Sequence, residues 1–512
     1  MGDFFAVNAP WQRRLWSTSI PMSLRELAEV SSAVADRTIS QGAMRWYAQR
    51  LVSQISRDPG VGGPRQGEEL RRCLQSDIVG GSLEHRELQQ IATDIRGQYL
   101  ERWAVALENE SHGFNAERIA RSVASYLLDT GLSQNHLHRW LSWSRERDPL
   151  VHDLPSLLRH ADDFARRPDK QYRVLVPMLS PFPVGNAEPA EWLRAERALA
   201  WLRQTGLVEL AGIEPSGGLL LRIPASDPEA AVERAANIVD ALVARTAVGT
   251  RSPLRAHSDA FVAGSKRRFP LRRSRRVEVR ALEREGLLAA DLYELPRDAI
   301  DSTLQLVSHL DTGPPEVAVA GGWSAIESIL TGPGVAQNVE AGDRLGAIVA
   351  CSWPRAELTT LAWERIRAID DALSAELLDH PDNRARAERI GSAIHNRERL
   401  GLTDPSAVCA IRRLEKLYGA PRETLLAVQA YAIDAVRRLY RNRNLVLHGG
   451  HTRAVSLSSS LRTVAPLVGA GVDRIVHAYI TSGVHPLDLA ARARLAIERC
   501  GDTERPLTRL LE

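Results

Sequence analysis

The sequence predicts a mainly α-helical protein in three parts. A helical domain covers residues 1–168, a small α+β domain with a basic linker covers 169–281, and a helical bundle covers 282–512. Three observations lead there. The chain has 512 residues, and single cores stop growing at about 250–300 residues. Apolar residues recur at three- and four-residue spacings in the first and last parts. Between Tyr172 and Ile223 that period gives way to short strand-like runs. Apolar residues make up 44% and charged residues 25%, the balance of an ordinary globular protein.

In the first part Leu24, Leu27, Ala28, Val30 and Val34 set the helical period. Breaks fall at Asp58-Pro59-Gly60 and Gly80-Gly81. His112–Trp143 reads as two helices, with Gly131 suited to a C-cap and Ser133 to an N-cap. This pair is a helical hairpin; the DNA-reading alternative lacks a basic second helix. Arg166-Arg167-Pro168-Asp169 marks a linker. Strands are expected at Tyr172–Leu179, Leu207–Ala211 and Gly218–Ile223, with Pro215–Gly218 turning a hairpin. Asp227-Pro228-Glu229 opens a helix to about Val243, with an N-cap, a proline at the first helical position and an acid in the first turn. In the last part helices are expected near Arg297–Leu310, Val317–Leu330, Gly342–Cys351, Ala356–Leu378, Arg384–Arg399, Ser406–Tyr418, Arg422–Leu447 and Arg462–Ile480.

Net charge is +3, so any nucleic-acid surface must be local. The densest basic run is Lys266, Arg267, Arg268, Arg272, Arg273, Arg275 and Arg276. It is a candidate for RNA phosphate contacts, though in an Arg-rich chain such a run is more often a solvated linker. The four cysteines, Cys73, Cys351, Cys409 and Cys500, form no CxxC pair, which excludes a zinc ribbon or a dense disulfide framework. A reducing cytoplasm fits. The N-terminal stretch lacks the apolar core of a signal peptide, and no apolar run is long enough to span a membrane. No Walker loop, GxGxxG turn, HExxH or nucleophile elbow occurs in a plausible context. No cofactor or metal is expected. His136 and His138 lack a carboxylate at metal spacing, and Trp140 and Trp143 share a helical face as packing residues.

The segment that carries chemistry is Arg437–Gly450. It gathers Arg441, Arg443, Asn444 and His448 at the end of a helix, stops it with Gly449-Gly450, and adds His451. Histidine moves protons near neutral pH. Arginine presents a permanently charged fork to phosphate oxygens. RNA supplies its own nucleophile, the 2′-hydroxyl, so this set suits metal-free phosphodiester cleavage. The bare Arg-to-His spacing is not specific: Arg389…His395, Arg147…His152, Arg145…His152 and Arg251…His257 also show it. What separates His448 is the Arg-Asn start, the Leu-Val-Leu middle and the glycine stop. On a straight helix, Arg441, Asn444 and His448 share a face, while Arg443 points about 140° from His448.

Arg443-Asn444-Leu445-Val446-Leu447-His448 resembles the ribonuclease motif of the HEPN superfamily, and the chain resembles most the ApeA-like HEPN domains of bacterial proteins. Two upstream features add to the likeness. Trp323-Ser324-Ala325-Ile326-Glu327 resembles their Ala-Leu-Glu-like helix, and Asp343–Ile348 resembles the Arg-Leu-Ala-like helix that follows it. The likeness covers roughly residues 282–480. It implies a HEPN-type bundle, a homodimer sharing one cleft, an RNA substrate (tRNA among the candidates), and a role as a toxin or antiviral effector. It favours Arg443 over Arg441 as the phosphate-binding arginine and suggests that Glu327 orients an active-site arginine. The N-terminal region would then sense a trigger or restrain the nuclease. The alternative is a HEPN module that dimerises and binds RNA or protein without cleaving.

Overall fold

The computed structural model describes all residues except 16, 110–113, 148–150, 184–187, 208–211, 213, 290–298, 333–338, 452–453 and 502–505. Its helices and strands follow in chain order: α1 Ile20–Ala35, α2 Gln41–Ile55, α3 Pro64–Gln75, α4 Leu83–Asn109, α5 Ala116–Asp129, α6 Gln134–Arg147 and α7 Leu154–Ala165. The sheet region holds β1 Lys170–Met178, β2 Trp192–Arg194, α8 Ala195–Gln204, β3 Gly217–Ala225, α9 Pro228–Gly249, β4 Asp259–Val262 and β5 Arg268–Pro270. Then come α10 Ala299–Thr312, α11 Pro315–Leu330, α12 Glu340–Ala368, α13 Ala372–Asp379, α14 Asn383–His395, α15 Pro405–Gly419, α16 Pro421–Gly449, α17 Leu457–Ser482 and α18 Pro486–Glu498. The protein is mainly helical with one small antiparallel sheet.

The chain forms two compact units. One gathers Met1–Gly97, Ala120–Ser125 and Arg275–Glu512; the other gathers Gln98–Ile119 and Tyr126–Ser274. The boundaries expected at residues 168 and 281 do not follow this division, because the first hundred residues pack with the C-terminal helices. The cause is long-range. α1 carries a buried carboxylate, Glu26, whose partners lie on α16.

In the second unit the sheet order is β2-β3-β1-β4-β5, with every recorded pairing antiparallel. Alternation along β1 sends Val174 and Val176 to a face covered by Ala231, Ala235 and Val239 of α9. Leu175 goes to the other face, against Trp201 and Leu202 of α8. Period-2 residues thus serve two helices at once. α9 starts where its signals predict: the Asp227 side chain accepts from the Glu229 and Ala230 amides. β3 pairs with β1 and β2; residues 208–211 of the strand expected at Leu207–Ala211 lie outside the described residues.

In the first unit α12 is the hub, packed on α14, α16, α17 and α18. Two helices expected at Gly342–Cys351 and Ala356–Leu378 are one continuous helix through Pro354, followed by α13. A proline inside a helix removes one backbone hydrogen bond and costs about 3 kcal/mol. Burial of Trp353, Leu358 and Leu361 around Pro354 offsets that cost. The real break comes at Asp371, which caps α13 by accepting from the Ser374 amide. α12 approaches α16 closely through two glycines. A Cβ on Gly346 would lie 2.7 Å from Ile433 Cγ1, and one on Gly342 would lie 2.9 Å from Val436 Cγ1. That contact sets the rotation of α16 about its own axis, and so which residues its far end presents.

Candidate functional site

α16 runs for 29 residues and ends at Gly449. Gly450 takes a left-handed φ of 65°, and its amide donates to the Leu445 carbonyl, so the chain turns sharply where the glycines predict a stop. Its last turns have two faces with different environments.

The inner face is held by α1. Arg438 Nε donates to Glu26 Oε2 at 2.8 Å, and Arg441 Nη2 donates to Glu26 Oε1 at 3.0 Å. Tyr47 on α2 donates its hydroxyl to Glu26 Oε2 at 2.5 Å, and the Arg441 guanidinium lies 3.9 Å over the Tyr47 ring centre. Burial alone would raise the Glu26 pKa. The attraction of Arg438, then of Arg441, outweighs it and holds the carboxyl at about 2. Arg437 is also tied down: it donates to Asp343 Oδ1 at 2.9 Å and stacks 4.1 Å over Trp46.

The outer face carries the other group. Arg443 Nη1 donates to Asn444 Oδ1 at 3.0 Å and lies 2.9 Å from His448 Nε2. A guanidinium has no lone pair to offer, so His448 Nε2 accepts and the ring proton sits on Nδ1. Arg443 is half-buried, with an Nε that has no hydrogen-bond partner among the described residues; His448 is exposed. Helical rotation alone places Arg441, not Arg443, on the His448 face. In the structure Glu26 holds Arg441 in the interior, and Arg443 extends along the helix to the imidazole.

Two further groups stand at this end. The His451 ring lies against Gly449, where a Cβ would come within 2.6 Å of its Cδ2; the glycine makes room for the second imidazole. Glu29 on α1 accepts from the Val455 amide at 3.2 Å. Burial pushes its pKa above the usual carboxylate range, against the pull of that hydrogen bond and of His451. Glu26 and Glu29 carry no sequence signal of this role. They lie more than four hundred residues before their partners, and neither departs from an ordinary amphipathic helix.

The other expected site residues divide. Glu327 is half-buried on α11 and has no ion-pair partner among the described residues, so the structure does not bring it to an arginine. α11 instead meets α16 through the Trp323 and Tyr440 rings, 4.6 Å apart. Most of the basic run is engaged internally. Arg267 and Arg273 pair with buried Glu229, and Arg272 pairs with Asp240. Arg275 donates to the carbonyls of Leu310 and Gly313 at 3.0 and 2.9 Å, and Arg276 donates to Asn8. Lys266 and Arg268 are exposed and have no partner among the described residues. The α5–α6 hairpin packs as a hairpin. Gly131 adopts φ 97°, the Ser133 hydroxyl donates to Glu229 at 2.9 Å, and His136 and Trp140 both stack on Phe164. Among the described residues no cluster of metal-ligating side chains occurs, and no helix is long and apolar enough to cross a membrane. No family model, no curated protein and no solved structure matches this chain.

Proposed function

We propose that the chain is a HEPN-type, metal-independent endoribonuclease, acting as a toxin or antiviral defence effector. Arg443 holds the scissile phosphate and Asn444 steadies Arg443. His448 transfers the proton between the 2′-hydroxyl, the phosphorane and the leaving 5′-oxygen. Attack of the 2′-oxygen on phosphorus forms the P–O2′ bond as the P–O5′ bond breaks. The products are a 2′,3′-cyclic phosphate and a 5′-hydroxyl. Two copies pairing at this helix end would give one cleft with two arginines and two histidines.

The observation that carries this reading is the 2.9 Å approach of Arg443 to His448 at a solvent-exposed helix terminus. A positive fork and a proton carrier stand within one phosphate of each other, open to a substrate. The test is incubation of the full-length protein with total RNA and with tRNA in EDTA, beside His448→Ala and Arg443→Ala. Cleavage by the wild type, lost in both variants with cyclic phosphate ends on the products, is the expected result. Full-length protein is needed because a fragment starting at residue 282 would strip Glu26 from Arg438 and Arg441.

One observation favours a second reading, a binding module without catalysis. Arg437, Arg438 and Arg441 are all spent on internal carboxylates, which leaves Arg443 with little nearby positive charge for an RNA backbone. That reading predicts RNA or protein retention by the wild type with no strand scission.

A further inference from the structure

A second charged site lies elsewhere in the same compact unit, in a cavity of about 1040 Å3 that shares no lining residue with the Arg443–His448 end of α16. Its walls come from the turn around Trp11, the segment Arg276–Glu285, and faces of α12, α14, α17 and α18. Among the described residues, nine arginines and five carboxylates line it.

The carboxylates are already matched. Glu278 accepts from Arg280 at 2.7 Å, Asp473 lies 3.4 Å from Arg284, and Glu512 lies 3.3 Å from Arg355 and 3.2 Å from Arg384. Glu285 holds His477 at 3.0 Å, and Asp382 is the N-cap of α14. Burial pushes the His477 pKa below its ordinary value, so the ring adds no positive charge near neutral pH.

What remains is an excess of guanidinium over carboxylate. Arg14 is only 6% exposed. Its Nη2 donates to the carbonyls of Ala6, at 2.8 Å, and Val7, and its Nε has no hydrogen-bond partner among the described residues. Arg474 has no hydrogen bond or ion pair among the described residues, and neither does Arg492. Burial, then the repulsion of Arg276, pulls the Arg14 pKa down to about 10. Burial, then Arg355, does the same to Arg474 against the weaker pull of Glu512 and Asp473. Like charges held together out of water are costly unless an anion joins them. The lining also presents two indoles. Trp363 lies under the Arg386 guanidinium at 5.0 Å, and Trp11 is half-buried with no ring partner among the described residues.

We propose that this cavity binds a phosphorylated small molecule of the nucleotide class, with its phosphates on Arg14 and Arg474 and its base against Trp11. Guanidinium forks match phosphate oxygens in pairs, an indole offers a stacking face for a base, and the volume accommodates a ligand of that size. The assignment stands independently of the nuclease reading.

The test is calorimetric titration of the full-length protein with ATP, GTP, AMP, inorganic pyrophosphate and adenosine, with thermal unfolding of each variant. The expected result is that the triphosphates bind, adenosine does not, and Arg474→Gln weakens binding by about tenfold or more. Arg14→Gln weakens it as well, while Lys416→Gln, on an exposed position of α15, leaves it unchanged. Arg474→Gln breaks no hydrogen bond or ion pair among the described residues, so its unliganded melting temperature stays near that of the wild type; a clear fall would mean that Asp473 and Glu512 already hold Arg474 and would overturn its assignment to a phosphate. Pyrophosphate binding as tightly as ATP would overturn the base-stacking half of the assignment. No binding of any phosphate at millimolar concentration would overturn the whole. So would binding of short RNA, but not mononucleotides, in an Arg474-dependent way.

Discussion

Arg441 and Arg443 stand two residues apart on one helix, with the same side chain and opposite circumstances. Arg441 is buried, donates to a fully buried carboxylate and rests on a tyrosine ring. Arg443 is half-buried and reaches an exposed imidazole. The difference is made by α1. Glu26 comes from the other end of the chain and takes up the inner two arginines, so the outer one is left to meet a ligand. An Arg-rich helix end is therefore a folding element on one side and a candidate reaction site on the other.

The largest effects are expected at the two groups on the outer face and at Arg441. Arg443→Ala and His448→Ala should each lower RNA cleavage by about 10²–10⁴-fold, the range of a lost proton-transfer or phosphate-binding group. Each should change stability by less than about 1 kcal/mol, as befits groups near the surface. Arg441→Ala should do the reverse and destabilise the fold first. If Arg441→Ala were well folded and inactive while Arg443→Ala kept full activity, the two roles would have to be swapped. Parallel urea unfolding and cleavage assays on the three variants decide it.

Next in size is the buried carboxylate. Glu26→Gln leaves two guanidiniums without a counter-charge, and removing one partner of such a buried pair costs about 3–5 kcal/mol. The midpoint of urea unfolding should fall accordingly. The same residue sets an acid limit. Its folded pKa, about 2, lies below its unfolded value of about 4.3. Its stabilisation is therefore complete above the unfolded value and is lost as pH falls towards 2. Acid unfolding followed by circular dichroism should show a stability loss in that window for the wild type and a smaller slope for Glu26→Gln. Equal slopes would mean that Glu26 does not carry the pair.

How much of the molecule is legible in its sequence follows the range of each interaction. The stop of α16 at Gly449-Gly450 and the cap of α9 at Asp227 are local signals, readable from neighbouring residues, and the structure has both. Pro354 misleads because its local cost is real, and only packing of residues far away in sequence offsets it. The counter-charges of Arg267, Arg272 and Arg273, Glu229 and Asp240, sit in α9, well before the run, so a run that looks free in sequence is mostly engaged by the fold. The two carboxylates from α1 are the least legible, since nothing near residues 26 or 29 marks a partner at the far end of the chain. Local chemistry names Arg441, Arg443, Asn444 and His448; the burial of Arg441 against Glu26 and the approach of Arg443 to His448 are visible only in the tertiary structure.

The smallest expected effect concerns that basic run. Glu229 is buried, and although burial opposes its ionisation, Arg273, the Ser133 hydroxyl and Arg267 hold its pKa below the ordinary value. Arginines engaged this way cannot serve phosphates without leaving a buried charge behind. Lys266 and Arg268 have no such tie among the described residues. If the run touches RNA at all, those two residues make the contact. Each phosphate neutralised contributes about 0.7 to the slope of log K against log salt for a single strand. The double variant Lys266→Gln with Arg268→Gln should reduce that slope by at most about 1.4 and leave the cleavage rate at saturating RNA unchanged. A reduction well beyond this in fluorescence-anisotropy titrations would mean that Arg267, Arg272 and Arg273 let go of Glu229 and Asp240 on binding. The run would then behave like Arg443 and not like Arg441.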